Sequence, residues 1–200
     1  MTELAVLQGV RLKGRIATDD LAATLGQEPA SVAGVVDALG ESGLLVAGKF
    51  LRITPEGRAR LGELLAEERA AVNQTSVTAA YNEFRDVNTD FKALVSDWQL
   101  KGGAPNPHDD PDYDAGVLRR LDHVHERTLP IIASVATQLP RLADYADKLR
   151  TALEKVRSGD TAWLTRPIVD SYHTVWFELH EELIEAAGLT REDEAAAGHA

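Results

Sequence analysis

The sequence ATDDLAATLGQEPASVAGVVDALGESGLLVAGKFLRITPEG, residues 17–57, decides the fold of the N-terminal part of this chain. Thr18 and the two acids after it predict the N-cap and first turn of a short helix, which Gly26-Gln27 ends. Pro29 suits a first helical position, and the apolar residues that follow it recur at i, i+3, i+4 and i+7, which predicts a second helix. Two apolar runs on either side of Gly48-Lys49 predict a β-hairpin. Helix, turn, helix and hairpin in this order predict a winged helix-turn-helix.

The motifs LAATLGQEPASVAGVVDALGESGLL and LRITPEGRARL resemble the MarR-type winged-helix transcriptional regulators, in which a wing leads into an LTpeG turn and a helix. The resemblance covers roughly the first seventy residues. It implies double-stranded DNA as a partner, a homodimer that matches a palindromic operator, and a second helix that enters the major groove. The residues it assigns to DNA binding are Arg15, Thr18, Pro29, Ala30, Ser31, Gly34, Lys49, Arg52 and Arg58.

Charge and side-chain chemistry leave a second interpretation open. No Arg, Lys, Asn or Gln lies between Glu28 and Ser42, although these side chains do most direct base reading. The net charge is −11, and an acidic body repels phosphate, so DNA binding would depend on the local cations around the helix-turn-helix. Those cations are equally typical of an ordinary solvated surface. The alternative is a winged-helix protein-interaction module, or an accessory subunit of a metabolic enzyme, that does not bind DNA.

Length and composition predict two domains in a mainly α chain of 200 residues. We expect a winged helix-turn-helix with a connector helix over 1–72, a helical effector or dimerisation domain over 73–188, and a frayed tail over 189–200. The absence of an eighteen-residue apolar run and of a signal peptide predicts a cytoplasmic protein. The absence of cysteine excludes disulfides and thiolate chemistry.

Apolar periodicity predicts the helices of the second domain. A stripe of aromatic and aliphatic residues favours a helix over 77–100, and the glycines, prolines and acids of 101–116 favour a loop. Further helices are expected over 117–139, with a kink at Pro130, over 140–156, and over 165–187. Four apolar-faced helices with short connections are typical of an antiparallel all-helical bundle.

The interior of such a bundle is where helical domains build small-molecule sites. The candidate ligand-binding residues are the aromatic and polar side chains on the inward faces, namely Phe84, Asn88, Phe91, Trp98, Tyr172, His173, Trp176 and His180. Core filling explains the aromatic residues equally well, and a core Asn bonded to a neighbouring helix explains Asn88.

Histidines suggest a third interpretation, a metal sensor. The candidate ligands are His123, His125, His173 and His180. His173 and His180 are seven residues apart on one predicted helix, which separates their rings by about 10 Å along the axis, too far for easy binding of one ion. Core histidines with hydrogen-bond partners are the competing explanation.

No catalytic motif stands out in the sequence. A phosphate-binding glycine loop and a His-Glu-x-x-His motif are both absent, so we expect a protein that is not an enzyme and that carries no cofactor. The sequence favours a cytoplasmic, dimeric transcriptional regulator. Effector binding in the helical domain would then change the spacing of the two DNA-binding lobes.

Overall fold

The computed structural model describes residues 2–198. These form two compact units, unit 1 up to Ala71 and unit 2 from Val72 onward. Each unit buries its own hydrophobic core. The described chain is mainly helical, as the sequence predicts. None of the helices within residues 2–198 combines the length and the apolar character needed to cross a bilayer.

Unit 1 places a small hairpin among helices. Its elements are α1 Glu3–Lys13, α2 Thr18–Thr24, α3 Pro29–Glu41, β1 Leu45–Val46, β2 Arg52–Ile53 and α4 Pro55–Ala70. Helix α1 packs on α2, α3 and α4, and α2 packs on α3. The core consists of one apolar face from each helix together with inward residues of the hairpin, and includes Val6, Leu7, Val10, Leu21, Val32, Val36, Leu39, Leu45, Leu51, Leu61 and Leu65. Helix α2 begins at Thr18 itself, so Ala17 is the N-cap and Thr18 does not cap the helix.

The hairpin register differs from the sequence-based expectation of a two-residue turn. Leu45 pairs with Ile53 and Val46 with Arg52, which leaves a loop of residues 47–51. This register puts buried Leu45 opposite Ile53 on the inner face, whereas a two-residue turn would place it opposite exposed Arg52. Leu51 forms an isolated antiparallel bridge with Ile16, which joins the hairpin loop to the segment before α2.

The Thr54–Gly57 turn joins the hairpin to α4. The Thr54 hydroxyl donates to the carbonyl oxygen of Gly43 at 2.8 Å and accepts from the Gly57 amide at 3.0 Å, which caps α4. A Cβ on Gly57 would lie 2.1 Å from the carbonyl oxygen of Leu44, so only glycine fits there. The TPEG motif therefore has a physical cause in the close approach of two backbone segments.

Unit 2 consists mainly of long helices. Its elements are α5 Gln74–Gln99, β3 Leu100–Lys101, β4 Ala104–Pro105, α6 Pro111–Ala136, a 3₁₀ turn Pro140–Leu142, α7 Asp144–Arg157, a 3₁₀ turn Thr161–Leu164, α8 Tyr172–Ala186 and α9 Arg191–Ala196. Helices α5, α6, α7 and α8 pack in a ring in which the main contacts are α5 with α6, α6 with α7, α7 with α8 and α8 with α5. Strands β3 and β4 form a small hairpin, so unit 2 is not wholly helical, whereas the sequence predicted an all-helical bundle.

Among the helices of unit 2, α6 and α8 have the starts that differ most from the predictions. Helix α6 begins at Pro111 inside the predicted loop, because Asp110 accepts a 3.1 Å bond from the Tyr113 amide and caps it. Helix α8 begins at Tyr172 and not at residue 165, since Ile168 has a φ of +73° that a right-handed helix does not allow. Ser171 caps α8 instead.

The segment that the sequence predicts to fray contains a short helix, α9. Within the predicted tail of 189–200, α9 has a capping box in which Thr190 and Asp193 bond reciprocally. Glu194 is buried against α5, with its carboxylate bonded to Tyr81 and Arg85. Helix α9 is held by a buried carboxylate and not by an apolar stripe, so apolar periodicity does not predict it. Residues 199 and 200 lie outside the described residues.

Candidate functional site

The helix α3 that the resemblance assigns to the major groove exposes a smooth, weakly polar face. Pro29, Ala30, Ser31 and Gly34 are all exposed, and a Cβ on Gly34 would meet nothing within 4 Å. Further along α3 the exposed residues include Asp37 and Glu41. The outward face of this helix thus has small side chains near its N-terminus and two acids near its C-terminus.

The cations assigned to DNA binding lie on and around the hairpin. The Arg15 guanidinium lies 3.9 Å from the centroid of the Phe50 ring, and Lys49 Nζ lies 5.6 Å from it, so the two cations share one aromatic platform. Arg52 on β2 and Arg58 on α4 are exposed. Among residues 2–198, no carboxylate forms an ion pair with any of these four cations.

Unit 2 contains a groove between α5 and α8, which we call the α5–α8 groove, with a volume of about 350 Å³. Helix α9 contributes one residue to its wall. The groove is lined by Asn88, Phe91, Lys92, Val95, Ser96, Gln99, His173, Trp176, Phe177, His180 and Arg191. Five of the eight predicted ligand residues therefore come together here: Asn88, Phe91, His173, Trp176 and His180.

Stacked aromatic rings form the floor of the α5–α8 groove. The Trp176 ring centroid lies 4.3 Å from that of Phe91 and 4.9 Å from that of Phe84, and both pairs are stacked. The Trp176 indole N–H donates a 2.9 Å bond to Oδ1 of buried Asn88. Asn88 therefore fixes the plane of Trp176, which matches the expectation of a core Asn bonded to a neighbouring helix.

The other three predicted ligand residues do not line the groove. Phe84 is fully buried and stacks on Trp176, and Tyr172 is fully buried with its ring 5.6 Å from that of Phe91. Trp98 is covered by His108, whose ring centroid is 4.4 Å away. The periodicity correctly predicts these residues as inward-facing, but it does not separate the groove from the core beneath it.

The charged residues of the groove are Lys92 and Arg191, neither of which was predicted from the sequence. Arg191 forms an ion pair with Glu181 and lies over Phe177, 4.8 Å from its ring centroid. Lys92 is exposed on α5, one residue after Phe91. A helical wheel of α5 would have placed Lys92 beside the aromatic stripe, whereas Arg191 lies in the segment that was expected to fray.

The two groove histidines are uncharged near neutral pH. Burial lowers the pKa of His180 to about 4, and the nearby Arg191 acts in the same direction. Its Nε2 lies 3.3 Å from the Tyr81 hydroxyl. Desolvation by the neighbouring groove residues also lowers the pKa of His173. The His173 side chain is exposed at the groove wall, whereas the sequence predicted it to face inward. Both rings act as neutral hydrogen-bonding groups.

Helix α9 is fastened beside the groove by one buried carboxylate. Glu194 accepts a 2.5 Å bond from the Tyr81 hydroxyl and a 3.0 Å bond from Nε of Arg85. Burial, together with the bond to Glu194, raises the pKa of Tyr81, so the phenol remains a donor. The cluster Tyr81–Arg85–Glu194, which we call the α9 latch, thereby positions Arg191 at the groove.

The four histidines proposed for metal binding do not come together at one site: His173 and His180 line the α5–α8 groove, whereas His123 and His125 lie on α6. His123 is exposed on α6, whereas His125 is buried with its Nδ1 3.2 Å from the Tyr172 hydroxyl. Burial, with nearby Arg157, lowers the pKa of His125. Within residues 2–198 no three His, Cys, Asp or Glu side chains are grouped as metal ligands would be.

Comparisons of the chain with protein-family models, with curated proteins and with solved structures found no match. The candidate sites are a hairpin in unit 1, whose cations form no ion pair within residues 2–198, and an aromatic groove in unit 2.

Proposed function

We propose that this chain is a DNA-binding transcriptional regulator, in which unit 1 is a winged helix-turn-helix and the α5–α8 groove of unit 2 binds a small effector. The observation that carries the proposal is the cation cluster on the hairpin. Arg15 and Lys49 flank the Phe50 ring, and Arg52 follows on β2. Cations without carboxylate partners are available for phosphate groups, which supply most of the affinity of proteins for DNA.

The element order of unit 1 supports the same proposal. Helices α2 and α3 follow one another through a short turn, and the hairpin comes directly after α3. The exposed face of α3 around Ala30 and Gly34 is smooth enough to approach a groove closely. Because that face carries no base-reading side chain, sequence preference would come from DNA shape and from the wing.

A homodimer is part of the proposal, since a two-fold protein matches a palindromic operator. The test is selection of genomic fragments by the purified full-length chain at moderate and at high salt. Enrichment of one palindromic fragment that disappears at high salt is the expected result. A folded dimer that enriches no fragment at either salt concentration would overturn the proposal.

The exposed acids of α3 favour a second candidate, a protein-interaction module. Asp37 and Glu41 both point outward on the helix that would approach the phosphates, where their charge is repulsive. Capture of one protein partner by unit 1, with an affinity insensitive to salt and no selection of DNA, is the result that this candidate predicts.

A further inference from the structure

Helix α9 is attached to unit 2 by charged side chains and not by an apolar face. Within Arg191–Ala196 the only buried residue is Glu194, with 1% of its surface exposed. The last apolar side chain before the helix is Leu189, which packs against the core of unit 2. Beyond Leu189, α9 is therefore held mainly by the α9 latch and by the ion pair of Arg191 with α8.

The site that receives the Glu194 carboxylate is organised by α5 and α8 alone. Arg85 donates a 3.3 Å bond to Oδ1 of Asn82, one turn earlier on α5, and its guanidinium lies 5.0 Å from the centroid of the Tyr81 ring. The Tyr81 hydroxyl also contacts Nε2 of His180 on α8, at 3.3 Å. None of these contacts involves α9, so the site keeps its donors when Glu194 leaves.

Helix α9 also closes one end of the α5–α8 groove. The groove residues on α8 run from His173 to His180, and Arg191 lines the wall near His180. His180 in turn contacts the α9 latch through the Tyr81 hydroxyl. Release of α9 would withdraw Arg191 from the wall and uncover His180. The groove would then continue to the Tyr81 hydroxyl, which Glu194 now covers.

Helix α9 is short enough to open as one unit. It has six residues, and a helix of that length is marginal by itself, so α9 keeps its helical form only while it is docked. Leu189, in contrast, is held by core packing and by a 3.0 Å backbone bond to the carbonyl oxygen of Ile184. Thr190, the exposed N-cap between Leu189 and α9, is therefore the point about which the segment can move. Native proteins open locally in such units while the rest stays folded.

We propose that α9 is a strap, hinged at Thr190, that closes one end of the α5–α8 groove and opens when Glu194 leaves the α9 latch. The ring of helices α5 to α8 stays folded in both states. Docked, the strap limits the length of the groove. Open, it joins the groove to the site formed by Tyr81 and Arg85. The strap controls access to the groove, and this role is independent of DNA binding by unit 1.

The first test measures the accessibility of the groove end with a thiol reporter. The chain contains no cysteine, so one introduced cysteine is the only thiol that reacts. His180→Cys places the reporter beside α9, and Ser96→Cys places one on the exposed α5 rim of the same groove. Mass spectrometry follows alkylation of the full-length chain by iodoacetamide at pH 7.5. Glu194→Gln loses the charge-assisted bonds of the latch, so it should accelerate alkylation of His180→Cys about 10-fold to 100-fold and leave Ser96→Cys unchanged.

Glu192→Gln is the matched control, because it removes an exposed acid from the same helix. It should leave both reporters at their original rates. Equal rates of His180→Cys alkylation in the Glu194→Gln and Glu192→Gln backgrounds would overturn the inference. Equal acceleration of both reporters by Glu194→Gln would also overturn it, since the helices of the ring would then open together with α9.

The second test determines whether Glu194 and Arg85 act through one contact. Arg85→Gln should accelerate the His180→Cys reporter as Glu194→Gln does, and the double variant should react at most about twofold faster than either. Arg127→Gln removes an ion pair with Asp90 elsewhere in unit 2, so this control should have no effect. Multiplied accelerations in the double variant would mean two independent contacts and would contradict the single latch. DNA is absent from both tests, so their outcomes are separable from the DNA-binding proposal.

Discussion

The Tyr81 hydroxyl donates a 2.5 Å hydrogen bond to Oε2 of Glu194, which lies 113 positions further along the chain. Arg85 donates to the same oxygen and forms an ion pair with the same carboxylate. Glu194 is the buried residue of α9, so a charge and not an apolar stripe fastens this helix. The α9 latch is therefore sensitive to removal of one charge.

Glu194→Gln should loosen α9 without unfolding unit 2. Glutamine keeps the side-chain length but loses the ion pair with Arg85, and bonds to charged groups contribute about 1.5–3 kcal/mol. We expect the backbone amides of α9 to exchange hydrogen roughly 10-fold to 100-fold faster, with α6 unchanged. Glu192→Gln, at an exposed site on α9, is the control. Equal exchange of α9 in the two variants would show that the latch does not hold the helix.

The low pKa of His180 predicts that acid weakens the fold. Burial lowers this pKa from 6.5 to about 4, so between these pH values the unfolded chain binds a proton that the folded chain does not. The free energy of unfolding should fall as the pH drops from about 6.5 to 4, by on the order of 3 kcal/mol from this group. The charged and titratable groups around the ring are Tyr81, Arg85, Lys92, Arg191 and Glu194.

Urea unfolding at several pH values between 7.5 and 4 measures this dependence. His173 and His125 also have lowered pKa values, and they add to the slope in the same direction. His180→Gln isolates the contribution of one ring, because glutamine does not titrate. The variant should show a shallower loss of stability over the same pH range. Parallel curves for the variant and the parent chain would refute the assignment.

The bond between Asn88 and Trp176 should couple the two residues energetically. Asn88→Ala leaves a buried indole N–H without its 2.9 Å partner, which costs about 1–3 kcal/mol in addition to the lost volume. In a Trp176→Phe background there is no N–H to satisfy, so the same substitution should cost less. A double-mutant cycle by urea unfolding measures the difference, and additive costs would mean that the bond contributes nothing.

Gly57 should be far less tolerant of alanine than Gly62, although both lie on α4. A Cβ at Gly57 would lie 2.1 Å from the Leu44 carbonyl oxygen, whereas a Cβ at Gly62 meets nothing within 4 Å. Gly57→Ala should cost at least the ~1–3 kcal/mol typical of overpacking. Gly62→Ala should stabilise the helix by about 0.5–1 kcal/mol. Thermal unfolding of the two variants separates these effects, and similar shifts would contradict the close approach.

Elements with strong apolar periodicity were predictable from the sequence, and elements fixed by polar contacts were not. The stripe from Tyr81 to Trp98 predicted α5 within a few residues of its observed bounds. Helix α9 carries no such stripe, because the contact of Glu194 with Tyr81 spans more than half the chain. The break before α8 depends on the backbone angle of Ile168, which a β-branched residue rarely adopts.

The aromatic residues of the α5–α8 groove were predictable from apolar periodicity, whereas its cations were not. Phe91 and Trp176 belong to inward stripes, so their side of the site follows from helical spacing. Lys92 occupies the edge of its stripe, where a cation is typical of solvated surface in any helix. Arg191 reaches the groove only because the α9 latch forms. Tertiary polar contacts of this kind leave no periodic signal in a single sequence.

The salt dependence of DNA binding should identify the hairpin as the phosphate-contacting element. Each phosphate contact contributes about −0.9 to the slope of log affinity against log salt for duplex DNA. Lys49→Gln and Arg52→Gln should each weaken binding of every sequence alike and reduce the magnitude of that slope by about one. Within residues 2–198, neither Lys49 nor Arg52 forms an ion pair that would compensate its charge.

Arg119→Gln on α6 is the matched control for these substitutions, because it removes one exposed cation from unit 2. Fluorescence anisotropy with a labelled operator between about 50 and 200 mM salt measures the slopes. The salt slope should fall in the hairpin variants and stay unchanged in Arg119→Gln, because only a cation that contacts a phosphate releases counterions from the DNA. Equal slopes in Lys49→Gln and Arg119→Gln would instead mean that the net charge governs association, and the hairpin would lose its assigned role.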